Sequence, residues 1–107
     1  MQFKISQALP QCAEGKVKGF YGKDFINLQN GTVKLVRVDS FSKYPLHLHP
    51  DKTEYAFVVK GNPFFVIDEN KFTGEPGDFF IFPKNTKHAI ENNTSNECVL
   101  LIGAIIM

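Results

Sequence analysis

The sequence predicts a single all-β domain, and three observations support that fold class. Short runs rich in Val, Ile and Phe alternate along the chain with clusters of Gly, Pro, Asn and Asp, the pattern of short strands joined by tight turns. No long segment carries the 3.6-residue apolar period of a surface helix. The aromatic content of 13% consists of eleven Phe and three Tyr with no Trp, a bias that suits pleated, half-buried strands. At 107 residues the chain is the size of one domain, residues 1–107, and short strands at regular spacing imply a sandwich or a barrel.

Each element follows from local chemistry. Residues 1–24 read as an N-terminal strand or arm packing on the barrel, with Lys16–Tyr21 as its strand. Phe25–Leu28 ends at Asn30-Gly31, a hairpin-turn dipeptide. Thr32–Phe41 is rich in β-branched residues, and Leu46–His49 stops at Pro50-Asp51. Glu54–Lys60 and Phe64–Asp68 flank Gly61-Asn62-Pro63, and a further turn is expected at Asp68-Glu69-Asn70. Asp78–Phe82 follows Glu75-Pro76-Gly77, and Lys87–Glu91 follows Pro83-Lys84-Asn85-Thr86. The last strand, Cys98–Ile106, has almost no polar residue on either face, so both faces need cover. Two coverings are open: the N-terminal segment with Phe3, Ile5 and Leu9, or a homodimer interface.

Composition excludes several functions. Twelve Lys+Arg against eleven Asp+Glu give a formal charge of +1, too little field to hold nucleic acid or an anionic membrane. The first residues lack the basic and apolar regions of a signal peptide, and no apolar run is long enough to span a bilayer. Cys12 and Cys98 are isolated, without CxxC spacing, and read as packed thiols in a reducing compartment. A cytoplasmic protein with neither nucleic-acid nor membrane partners is expected.

The three His carry the chemistry. His47 and His49 lie two apart at a strand end, where side chains i and i+2 share a face. Glu54 follows five residues later, and the reversal expected at Pro50-Asp51 brings a returning strand back beside the two imidazoles. His88 follows another apolar strand and turn. A lone His near a turn is usually a satisfied polar group, but three with a carboxylate at chelate spacing read as a metal site.

These residues resemble the cupin family. Its first motif, Gly-x5-His-x-His-x4-Glu-x6-Gly, matches at His47, His49, Glu54 and Gly61, and its second, Gly-x5-Pro-x-Gly-x2-His-x3-Asn, at Gly77, Pro83, His88 and Asn92. The resemblance implies an antiparallel double-stranded β-helix, or jelly roll, with the metal site inside one end of the barrel. It also implies His47, His49, Glu54 and His88 as ligands. Three imidazoles and one carboxylate suit a divalent Fe, Mn, Ni, Co or Zn ion. Two motif glycines are replaced. Asn85 is the next-best residue for a left-handed turn, and Phe41 places a large ring where it is expected to narrow the cavity mouth.

Counting back by twos from His47 puts Arg37, Phe41 and Lys43 on the ligand side unless a bulge intervenes. Arg37 would then bind an anion, the alternative being a solvated strand Arg. Tyr44 and Tyr55 are candidate proton donors, Asn92 is expected to fix backbone, and Lys87 should face outward. The remaining wall is expected to be Phe, Val and Ile, around a small, partly apolar ligand. The resemblance implies a small-molecule partner and either isomerase or dioxygenase chemistry. The alternatives are a non-catalytic binding or sensor module and a barrel with a vestigial site; the ligand set does not choose among them.

Overall fold

Among the described residues, ten strands form two antiparallel sheets facing each other. The computed structural model describes residues 1–106, so Met107, the end of the last apolar run, lies outside the described residues. In chain order, a one-turn helix α1 (Ile5–Ala8) and a 3-10 turn (Leu9–Gln11) precede β1 (Ala13–Glu14), β2 (Phe20–Asn27), β3 (Gly31–Val38) and β4 (Lys43–His47). There follow β5 (Lys52–Lys60), β6 (Phe64–Ile67), β7 (Asn70–Thr73), β8 (Phe79–Phe82), β9 (His88–Glu91) and β10 (Cys98–Ile106). The larger sheet runs β1-β2-β3-β10-β5-β8 and the smaller β4-β9-β6-β7. This is the jelly-roll barrel expected from the sequence.

The apolar β10 lies at the centre of the larger sheet. Leu100 stands opposite Val36 on one side and Val58 on the other, and Ile102 opposite Lys34 and Ala56. These inward rows meet Phe65 and Ile90 of the smaller sheet and Phe82 of β8 in one buried core. Phe65 and Phe82 are fully buried, each contributing about 2 to 3 kcal/mol by loss of apolar surface to water. A second cluster covers the outer face: Leu35 and Val99 pack under Ala8, with Ile5, Leu9, Cys12, Phe25 and Leu101 around them. Phe3 stacks on Phe25 at 4.3 Å. The outward row of β10 is thus covered as far as Leu101, whereas Ile105 beyond it remains 51% exposed. Cys12 and Cys98 are both free thiols, Cys98 buried.

The strand boundaries depart from expectation where backbone chemistry intervenes. Lys16–Tyr21 is mostly turn, because Gly19 takes φ 85 and β2 begins only at Phe20. β2 then runs through Phe25, with a register shift between Asp24 and Ile26. β3 ends at Val38 rather than Phe41, since Phe41 itself takes φ 57. The motif's four turn positions, Phe41, Gly61, Gly77 and Asn85, all have positive φ, which is the physical reason a motif places glycine there.

Candidate metal centre

Three strands, β4, β5 and β9, and the turn between β4 and β5 bring the candidate ligands together. His47 closes β4 and stands directly opposite His88 at the start of β9. Glu54 lies on β5, paired with Phe82 of β8. His49 lies two residues beyond the end of β4, not on the strand as the spacing suggested. Its backbone carbonyl accepts a 2.8 Å hydrogen bond from Asn85 N–H, so the left-handed turn before β9 holds the His49 segment in place. Each of the four residues offers one donor atom, and these atoms lie within 4.8 Å of one another. Bonds of roughly 2.1 Å around a six-coordinate ion would separate its ligand atoms by about 3 to 4 Å, so a modest contraction completes such a sphere.

Each imidazole is oriented by a neighbour. His47 Nδ1 donates to the Pro45 carbonyl at 2.7 Å and His88 Nδ1 to the Thr86 carbonyl at 3.3 Å. A carbonyl only accepts, so in the neutral rings both Nε2 atoms carry lone pairs. Phe82 stacks on His88 at 4.5 Å, and Tyr44 packs against His47 at 4.8 Å. His88 Nε2 and His49 Nε2 stand 3.3 and 3.1 Å from the same oxygen, Glu54 Oε1. For neutral His88 this sets a lone pair against a carboxylate oxygen, which is unfavourable unless a proton or a cation lies between them. The donor set therefore fits a divalent metal.

Electrostatics keep the set ready to bind. Burial pushes the His49 imidazolium toward its neutral form, and Lys52 and the other two His reinforce this against the opposing pull of Glu54, so His49 titrates below 6.5. Burial alone would raise the Glu54 carboxyl, but a hydrogen bond from His88 Nε2, made when that ring carries both protons, and the charges of Lys52, His49 and His88 outweigh it and hold it below its ordinary 4.5. At neutral pH both groups are in the form a cation needs.

The centre opens into a cavity of about 620 Å³. Its apolar wall includes Phe20, Val36, Phe82, Ile90 and Ile102, in keeping with the expected Phe, Val and Ile. Tyr44 also lines it, because a register shift in β4 between Tyr44 and His47 turns both inward although they are three apart. The expectation missed the charged part of the wall: Lys16, Lys34, Lys52 and Asp24. The signal was present, since Lys34 alternates with the inward Val36 and Val38, and Lys52 with Glu54.

Arg37, Phe41, Lys43 and Tyr55 do not line this cavity. The count by twos crossed the turn at residues 39–42, which reset the alternation. Arg37 bonds Asp39 at 2.8 Å and lies over the Tyr21 ring at 4.1 Å. Phe41 leaves the mouth open, its ring 67% exposed, and Lys43 lies 4.0 Å from Glu91. Tyr55 follows the inward Glu54 and so points outward, where its ring fills the space above Gly103 and stacks on Phe79 at 5.2 Å. Lys87 is exposed, as expected. Asn92 is completely buried and fixes backbone: its amide donates to the carbonyls of Val38, Asp39 and Asn96, and its oxygen accepts from Thr94.

A two-sheet jelly roll with three His and one Glu converging inside one end of the barrel defines a protein of the cupin class. The model of the family described as "Cupin domain" matches residues 26–103, and the chain belongs to that family. Among solved structures it is similar to the TT1209 protein of Thermus thermophilus, at 15% identity and a TM-score of 0.82, over 99% of this chain and 98% of that one. It is similar to the Cnp3 cupin domain of Schizosaccharomyces pombe at 11% identity and a TM-score of 0.79, covering 87% of this chain but 65% of that one. A sugar phosphate isomerase of the cupin superfamily from Silicibacter pomeroyi matches at 23% identity and a TM-score of 0.75, over 85% of this chain and 62% of that one. At these identities the likeness is one of fold. A search of the curated proteins finds no match. No helix among the described residues is long and apolar enough to cross a membrane.

Proposed function

We propose that this chain binds a divalent transition metal through His47, His49, Glu54 and His88 and uses it to hold a small organic ligand in the barrel. The observation that carries this reading is the convergence of four donor atoms within 4.8 Å at the wall of a 620 Å³ cavity. A metal held by three neutral imidazoles and one carboxylate keeps a net positive charge, with which it polarises a chelating ligand or, if redox-active, supports electron transfer. The protein's own residues orient the imidazoles, place Tyr44 beside His47, and shield one side of the centre with Phe82 and Ile90. Elemental analysis of protein purified without an affinity tag tests the reading. About one equivalent of metal is expected in the parent after reconstitution, and little in His88→Ala; a metal-free parent overturns it.

Isomerase or dioxygenase chemistry is the catalytic form of this proposal, and the likeness to a sugar phosphate isomerase supports the first. The binding or sensor form is favoured by the cavity wall, whose only hydroxyls among the described residues are the phenols of Tyr44 and Tyr21. Oxygen uptake by the Fe(II)-loaded protein with diketones, thiols or phenols, above that of free iron, establishes a dioxygenase; aldose–ketose interconversion establishes an isomerase. Absence of both leaves the binding module. Two further parts of the reading have separate support: a homodimer from the exposed Phe79, Ile81 and Ile105 of the larger sheet, and a reducing, cytoplasmic location from the two free cysteines.

A further inference from the structure

The cavity wall carries three ammonium groups, Lys16, Lys34 and Lys52, against two carboxylates, Asp24 and Glu54. That leaves one positive charge before any metal is bound, with Glu54 already committed to the imidazoles. Lys52 is tied to the centre, 3.9 Å from Glu54 Oε2. The other two are not. Lys34 reaches only 3.9 Å from Asp24, with both side chains more than half exposed, a pairing worth little in water. Lys16 forms no ion pair among the described residues.

The position of Lys34 is built into the fold. It occupies the inward row of β3 with the buried Val36 and Val38, opposite Ile102. Its stem lies where a side chain at Gly22 would be, since a Cβ there would come within 2.8 Å of Lys34 Cδ. From β3 across β10 to Glu54 on β5 is two strand spacings, on the order of 10 Å. Part of that distance is taken up by a lysine stem, and the rest suits a small ligand.

The geometry points to a ligand class: a small anion whose carboxylate or phosphate group is held by Lys16 and Lys34 while its other end reaches the metal centre. Two ammonium groups beside an apolar wall recognise an oxyanion through charge-assisted hydrogen bonds and disfavour a neutral analogue. This takes the metal centre proposed above as the other end of the ligand, so the test must separate the two.

Protein incubated with zinc and freed of the excess is titrated calorimetrically with glycerate, glycerol 3-phosphate and glycerol, in the parent, in Lys16→Met/Lys34→Met and in His88→Ala, which is expected to retain little zinc. At least one anion is expected to bind the parent, with glycerol showing no heat at the same concentration; which anion binds separates carboxylate from phosphate. The double variant should bind that anion at least tenfold more weakly, lose much of the salt dependence, and retain the parent's zinc content. Equal binding of glycerol, no binding of either anion, or anion binding unchanged in the double variant overturns the proposal. Lysine-dependent anion binding in a parent that retains no zinc would overturn the metal reading and leave the lysine site standing. Full zinc occupancy with lysine-independent anion binding would do the reverse.

Discussion

Phe41 stands at φ 57 with its ring 67% exposed, so it is held in a left-handed conformation with little burial in return. That conformation costs a residue with a Cβ about 1 to 2 kcal/mol. Glycine removes the cost but adds unfolded-chain entropy of about 0.5 to 1 kcal/mol. Phe41→Gly should therefore stabilise the protein by about 0.5 to 1 kcal/mol in urea denaturation, with metal content unchanged; a loss of stability would show that the ring is held by contacts rather than tolerated. The position was legible in the sequence as a motif glycine, and its backbone demand follows from that. Where the ring went was not legible, because the side-chain direction depends on a turn that breaks the alternation, and the same break took Arg37 and Lys43 out of the cavity.

Asn92 binds elements together. It follows β9, donates to the carbonyls of Val38 and Asp39 where β3 ends, and closes the loop before β10 through Thr94 and Asn96. Its own N–H donates to the Ser42 carbonyl just before β4. Asn92→Ala takes this donor from the buried bond to the Val38 carbonyl and from the partly buried bonds to those of Asp39 and Asn96, at about 1 to 3 kcal/mol for a carbonyl left buried and unpaired. We expect a total loss of about 3 kcal/mol, read as a lower urea midpoint at unchanged slope; a change under about 0.5 kcal/mol would mean that water replaces the amide. The long apolar strands were legible because burial on one or both faces writes itself into composition, as in β5 and β10. β7 was not, since all of Asn70–Thr73 is exposed and carries no alternation. Two-residue β1 and one-turn α1 are too short for any period to register. The four candidate ligands were legible from spacing, but the lysines of the cavity were not, because a lysine at a barrel mouth and one in solvent have the same letter.

At the scale of the molecule, folding and metal binding draw on the same groups, so acid should act on both. His49 titrates below 6.5 in the folded protein. As pH falls through 6.5 the unfolded chain takes the proton first, so stability declines between that value and the folded pKa. Glu54 titrates below 4.5, so its contribution is present above 4.5 and is lost as pH falls through the folded value. Both signs agree, and the metal-free protein should lose stability as pH falls below 6.5, through His49, and again below 4.5, through Glu54. Metal competes with protons for the same atoms, and at a free concentration of about 100 Kd it adds roughly 2.7 kcal/mol. The Tm difference between zinc-loaded and chelator-treated protein should thus be greatest at neutral pH and shrink as pH falls below 6.5 and His49 takes up its proton. Thermal melts from pH 8 to 5 in paired samples measure it. A difference that stays constant with pH would place the metal on groups other than these imidazoles, and His88→Ala, which should abolish the difference at every pH, identifies the site directly.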